Sequence, residues 1–307
     1  NRFPVRVEEN PTYSCWSGYK EYPQFNFENP EVKAYLIQVA RFWIEKFKID
    51  GWRLDSCSDI PYSFVTEFAQ ASRALKPDMM IIGENWHSDY EMMHHGVDGI
   101  TNYGLYWDAV IPFLGSKGKM SSFAGDLMEH IFKSSPYYEQ YSWNFLNNHD
   151  IARFQSVVNS ESQYLIALTL MFLLPGTPVL YYGEEIGLPG LQDPDNRRCM
   201  DWETVAGNSV LEYVKDLVAL RKSHLELLNN GILSIPYLNE QSEVMVICRQ
   251  SEDKALFAVF NFSKADQNIE INEVLKGQQL TTLMGEEILS GQGLNLSPLS
   301  SSIFLSR

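Results

Sequence analysis

Three carboxylates stand at or just beyond the ends of short apolar runs. Gly51-Trp52-Arg53-Leu54-Asp55 finishes on an acid, with Arg53 two residues earlier on the same side of a pleat. Ile81-Ile82-Gly83-Glu84-Asn85-Trp86-His87 carries a second acid, and Phe145-Leu146-Asn147-Asn148-His149-Asp150 a third. Convergent acids suit two chemistries. One is a hard-metal site, which wants several oxygen ligands close together. The other is glycoside hydrolysis, which needs one ionised carboxylate and one acid across a sugar ring. Trp52, Trp86, Tyr103, Trp107 and Trp202 favour the second, because flat, partly polar rings stack on sugars and metal sites have no use for them. A single strand-end acid is as readily a helix cap. Three of them, each with flanking polar and aromatic residues, are not.

Alternating strands and helices must position such residues. Lys33–Lys46 has helical period, with Tyr35, Val39, Phe42, Trp43 and Phe47 on one apolar stripe, and it leads into a strand over Ile49–Leu54. A second helix over Ser63–Leu75 precedes a strand at Met79–Gly83. Gly99–Asn102, Trp143–Leu146 and Pro178–Tyr182 read as further strands, with a buried helix over Tyr164–Leu174. Strands alternating with helices at this spacing imply parallel βα units. In an α/β barrel the carboxyl ends of the strands form the catalytic mouth, so the three acids are expected to meet there. Past Asn229-Asn230-Gly231 the pattern changes to short runs such as Val244–Cys248 and Leu256–Phe262, which read as an all-β domain over 228–307.

Composition removes other classes. The 24 Lys and Arg against 39 Asp and Glu leave a net charge of −15, which argues against nucleic-acid or anionic-membrane partners. The longest apolar run, Leu165–Leu174 with Thr169 as its one polar residue, is about half of the ~20 residues that a membrane span requires. Cys15, Cys57, Cys199 and Cys248 form no C-x-x-C pair and no disulfide framework, so a reducing, cytoplasmic setting is expected and no metal site is read. His94-His95 reads as an exposed loop pair and Cys57 as a packing residue.

The ordered segments resemble the α-amylase family of retaining glycosidases, within it the neopullulanase, cyclomaltodextrinase and maltogenic amylase group. Tyr22-Pro23-Gln24-Phe25-Asn26 and Glu28–Val32 look like the segment before the fourth barrel strand, and Gly51–Asp55 like the nucleophile strand. Gly83–His87 matches the acid/base strand, Asn148-His149-Asp150 the third-acid segment, and Gly176–Gly183 the eighth strand. Asp193-Pro194-Asp195-Asn196-Arg197-Arg198-Cys199-Met200 looks like a sugar-contacting loop. The resemblance implies a C-terminal part of a (β/α)₈ TIM barrel, about strands 4–8, followed by a small β-sandwich. The implied division is 1–21 as the tail of an irregular subdomain, 22–227 as barrel and 228–307 as sandwich.

It also implies roles. Asp55 would be the nucleophile, Glu84 the acid/base, and Asp150 the acid that binds sugar hydroxyls in the transition state. Arg53, His149, Trp52, Trp86, His87, Asp59, Asp193 and Arg197 would contact substrate. Double displacement with retention would set the Asp55 and Glu84 carboxyls about 5–5.5 Å apart. The implied activity is hydrolysis of α-1,4 glucosidic bonds, with α-1,6 open, in maltooligosaccharides, cyclodextrins or pullulan. Transglycosylation on the same site and a non-catalytic carbohydrate-binding relative are the alternatives. No cofactor is required; calcium stays open, although nothing in this portion indicates it. Ser56-Cys57-Ser58-Asp59 departs from the group's usual Asn-Glu pair after the nucleophile, which leaves the acceptor-side contacts open. The βα units number about five, so the first three strands, about 100 residues at ~30 per unit, are expected in a preceding portion of the same enzyme. The chain alone is then expected to be inactive, and to pair with that portion or self-associate as a homo-oligomer through open edges.

Overall fold

The computed structural model describes residues 13–86, 90–116, 118–133, 140–158, 160–270, 279–285 and 293–306. The chain divides into two compact units, Asn1–Ile100 and Thr101–Arg307.

In the first unit, helix α1 (Pro30–Phe47) starts where Asn29 accepts the Glu31 N–H and Pro30 takes the first turn. It stops at Lys48, which turns left-handed with φ 54°. Its buried residues are Ala40 and Ile44, whereas Tyr35, Phe42, Trp43 and Phe47 are exposed. The expected aromatic stripe therefore exists but is not the packed face. Phe42, Trp43 and Phe47 contact one another edge-on or tilted instead, with the Lys46 ammonium over two of the rings.

Strand β1 (Gly51–Leu54), helix α2 (Tyr62–Leu75), strand β2 (Met80–Gly83) and strand β3 (Gly99–Ile100) follow. The strands form one parallel sheet in the order β1-β2-β3. Gly51 is required at its position, because a Cβ there would sit 2.8 Å from the Met80 carbonyl oxygen. The register Leu54↔Gly83 makes Asp55 and Glu84 the next facing pair, and the Glu84 N–H continues the ladder to the Leu54 oxygen at 2.8 Å.

The second unit opens with a π-helix over Leu105–Gly115 and helix α3 (Met120–Lys133). The sequence reading missed both. The first is apolar nearly all round and carries Pro112, so it has no period to read. The second has a plain apolar face of Met120, Phe123 and Leu127. Strands β4 (Trp143–Asn144) and β5 (Thr177–Pro178) pair in parallel and are shorter than expected. Past Pro178, the Tyr181 N–H goes to the Glu184 carboxylate rather than to a strand, and the chain turns there.

Helix α4 (Glu161–Leu173) is buried from Ile166 to Leu173. Its last carbonyls meet two buried arginines. Arg221, from helix α5 (Ser209–Ser223), donates to Phe172 O at 2.5 Å and to Gly176 O, and Arg249 donates to Leu173 O at 3.0 Å. A helix C-terminus is where orphan carbonyls and the dipole favour cations.

Among the described residues, seven strands follow: β6 (Ile232–Asn239), β7 (Val244–Gln250), β8 (Ala255–Asn261), β9 (Gln267–Glu270), β10 (Leu280–Met284), β11 (Gly293–Leu296) and β12 (Ser300–Ser306). Five form an antiparallel sheet ordered β10-β12-β8-β7-β6, and β9 pairs with β11. Val244, Val246, Phe257, Val259 and Phe304 of the larger sheet share one apolar cluster with Ile269, Leu294 and Leu296 of the smaller. Among the described residues no helix is long and apolar enough to cross a membrane.

Candidate active site

In the first unit the β1–β2 register puts Arg53, Asp55 and Glu84 on one side of the sheet, since facing residues of parallel strands point the same way. The side chains meet there. Arg53 Nη1 pairs closely with Asp55 Oδ1, and its Nη2 lies 3.3 Å from Glu84 Oε1. One guanidinium thus touches both acids. Asp55 is 78% exposed and Glu84 only 4%. Glu84 accepts from the Trp86 indole N–H at 3.0 Å and from the Ser56 backbone N–H at 2.7 Å. The Ser56 donor is invisible in sequence. It faces Glu84 because Ser56 takes a left-handed turn at φ 42°.

The other expected contacts in this unit differ in placement. Trp52 lies on the opposite side of the pleat, edge-on to Phe68 of α2 at 5.6 Å. Asp59 is exposed at the end of a 3₁₀ turn, Cys57–Asp59. His87 lies outside the described residues.

The second unit assembles another charged cluster. Asp150 sits 3.3 Å from His149 Nε2 and 3.5 Å from Arg197 Nη2, and Arg197 Nε reaches Asp193 at 3.0 Å and the His149 carbonyl at 2.9 Å. Asp150, His149, Asp193 and Arg197 are thereby brought together. Beneath them lies a supporting layer, in which Tyr103 takes a part other than the sugar-stacking one expected of it. Asn148 carries the turn, accepting the Asp150 N–H and donating to the Tyr103 hydroxyl at 2.6 Å. Tyr103 is buried, so it serves as an anchor and not as a sugar platform. Trp202, by contrast, is 76% exposed.

Glu184, fully buried, accepts from Asn147 at 2.7 Å and from the Tyr181 N–H at 3.0 Å. Burial pushes its carboxyl up to about 8, against the downward pull of those hydrogen bonds and of the Arg153 charge. Arg153 stacks over Tyr181 and Tyr182, with its guanidinium carbon 4.2 and 4.7 Å from the ring centres. Among the described residues no group of three or more His, Cys, Asp or Glu side chains is placed to hold a metal ion.

The family of the alpha-amylase catalytic domain matches residues 7–223. The chain belongs to the alpha-amylase family. It is 32% identical over 303 residues to the maltogenic alpha-amylase of Bacillus acidopullulyticus, covering 96% of this chain and 51% of that protein. It is 33% identical over 312 residues to neopullulanase 2 of Thermoactinomyces vulgaris, covering 98% and 53%. The solved structure of a cyclomaltodextrinase superposes with a TM-score of 0.87 at 26% identity, over 99% of this chain and 53% of that one. The chain thus spans about half the length of the curated relatives it matches. Alpha-amylase family membership brings a TIM-barrel-type glycosidase fold, and the parallel pairing of β1, β2 and β3 is the local form that such a fold takes.

Proposed function

We propose that the whole protein bearing this chain is a retaining α-glucan hydrolase acting on maltooligosaccharides, cyclodextrins or pullulan. Asp55 attacks the anomeric carbon and forms a glycosyl ester, while Glu84 gives its proton to the departing glycosidic oxygen. Glu84 then takes a proton from water, whose oxygen displaces Asp55 and restores the α configuration. Asp150, with His149, binds sugar hydroxyls as positive charge develops, and Asp193 and Arg197 hold a neighbouring sugar. Trp86, His87 and Asp59 complete the substrate contacts in this reading, whereas Trp52, turned to the other face of the sheet against Phe68, drops out of them. The chemistry needs no cofactor. In the same reading 22–227 supplies barrel strands four to eight and 228–307 a β-sandwich, with 1–21 belonging to an irregular subdomain.

The observation that carries the proposal is the Arg53 guanidinium shared by Asp55 and Glu84 at the ends of adjacent parallel strands. A retaining glycosidase wants this close, unequal pair, with one acid open to the substrate and the other enclosed. The names of the relatives, a maltogenic alpha-amylase and a neopullulanase, support the substrate class.

The test uses the whole protein. Asp55→Asn and Glu84→Gln should each lower turnover of maltotriose by several orders of magnitude, with Glu84→Gln sparing substrates that have good leaving groups. A fluorinated glycosyl donor should label Asp55, and NMR of the first-formed product should show the α anomer. A label on another residue, or a β product, would overturn the assignment.

A further inference from the structure

Asn196 is completely buried, in the middle of the charged loop that carries Asp193, Asp195, Arg197 and Arg198. Its side-chain Nδ2 faces three carbonyl oxygens of the neighbouring segment: Asn148 at 3.3 Å, His149 at 2.9 Å and Ile151 at 2.9 Å. Those carbonyls belong to the two peptide planes that flank His149, the second of which also precedes Asp150, and to the plane that follows Ile151. Holding them fixes the Cα–Cβ direction of His149 from both sides and brackets Asp150 between the held His149 and Ile151 carbonyls, which orients the His149 ring and the Asp150 carboxylate.

Asn196 is itself held firmly. Its backbone oxygen accepts Arg153 Nε at 2.9 Å, and the Arg153 N–H bonds the Gly190 oxygen at 2.9 Å. Gly190 lets the strands of the loop close up, because a Cβ there would stand 2.8 Å from the Asn196 Cα. Arg153 is 1% exposed and pinned on two tyrosine rings. The environment offers the amide three acceptors, so only a donor of this shape fits.

We propose that Asn196 is a positioning residue that sets the pose of His149 and Asp150 for transition-state binding. The proposal rests on the reading of Asp150 given above. Asn196 touches no substrate, and it acts by holding backbone carbonyls. A group that positions a transition-state ligand should lower kcat while leaving ground-state affinity nearly intact.

Asn196→Asp keeps the shape and replaces the donors with an oxygen facing three carbonyls. Asn196→Ser retains one hydroxyl donor in a smaller side chain and serves as the milder variant. Both are measured in the whole protein on maltotriose, with rates normalised to sites trapped by a fluorinated glycosyl donor, so that misfolded protein is not counted. We expect kcat per trapped site to fall about 10- to 100-fold in Asn196→Asp and less in Asn196→Ser, with KM changed by less than about threefold. In an Asp150→Asn background the same substitutions should cost less than about threefold, because the group they position has already been disabled. Unchanged kcat, or equal losses in both backgrounds, would overturn the proposal and leave Asn196 a packing residue. If Asp150→Asn alone leaves kcat intact, the reading of Asp150 fails, and this proposal with it. Loss in Asp150→Asn without loss in the Asn196 variants defeats only this one.

Discussion

Asp55 and Glu84 follow directly on β1 and β2, whose paired backbones aim them, whereas Asp150 lies in an irregular segment six residues beyond Asn144, the last residue of β4. In the first region main-chain ladder bonds set the register, and a single side chain, Arg53, links the two acids. In the second, side chains do the work of a ladder. Asn196 holds three carbonyls, Arg197 holds one of them as well, and Asn148 caps the turn. A ladder spreads its support over many backbone bonds and tolerates most side-chain changes. A side-chain scaffold concentrates support in a few atoms, so single substitutions there should reach the chemistry from one shell away.

The largest effect should come from breaking the link in the first region. Arg53→Met keeps the aliphatic stem and removes the charge shared by Asp55 and the enclosed Glu84. Losing one partner of such a pair costs about 2–4 kcal/mol, or roughly 30- to 1000-fold in kcat/KM. Strand pairing should survive, so the far-ultraviolet circular dichroism should be unchanged. A variant with normal kcat/KM would show that the ladder alone organises the acids.

In the second region Arg197→Ala removes both a pairing with Asp150 and a donor to the His149 carbonyl. The expected loss is about 1.5–3 kcal/mol in kcat/KM on maltooligosaccharides, the worth of a charged hydrogen bond. Comparing chain lengths sharpens the point. A loss that is the same with substrates too short to reach Arg197 would mean that it supports the backbone and grips no sugar.

The prediction furthest from turnover concerns the carboxyl beneath that region and reads stability instead. The folded-state pKa of Glu184, about 8, lies above its ordinary value of 4.5. Between those values the folded protein keeps a proton that the unfolded chain has released. The stabilisation is whole below about pH 4.5 and is lost as pH rises to 8, by at most about 1.4 kcal/mol per pH unit. Urea unfolding at pH 5.5 and 7.5 should show that slope, and Glu184→Gln, which mimics the protonated form, should flatten it. An identical slope in both proteins would mean that Glu184 is ionised in the fold.

This contrast also explains what could be read from the chain before its structure. Apolar runs that end on an acid made Asp55 and Glu84 visible, and helical period revealed α1, α2 and α4. Asn196, Arg153 and Glu184 left no such trace, because a buried polar residue in a loop has no period and its partners are distant in sequence. The one local sign was the density of charge around Asn196 in Asp193–Arg198, beside Gly190. Helix α3 could have been found from its own spacing, and the π-helix could not. The aromatic stripe of α1 was legible as a pattern, but a pattern does not say which face a helix buries, and here Ala40 and Ile44 form that face.

The two arginines at the end of α4 bear on how this chain could be divided or recombined. Arg249 sits on β7, far along the sequence, yet it donates to Leu173 O and to the Gly231 carbonyl at 2.8 Å. The all-β portion is therefore not an appendage that can be trimmed at Asn230. Cutting there would remove Arg249 and with it the donor that the α4 terminus uses, while Arg221 would keep its hold on Phe172. For anyone building chimaeras between family members, the natural exchange unit would join α4, α5 and β7 as one inherited block, with both arginines travelling together with the helix whose end they close.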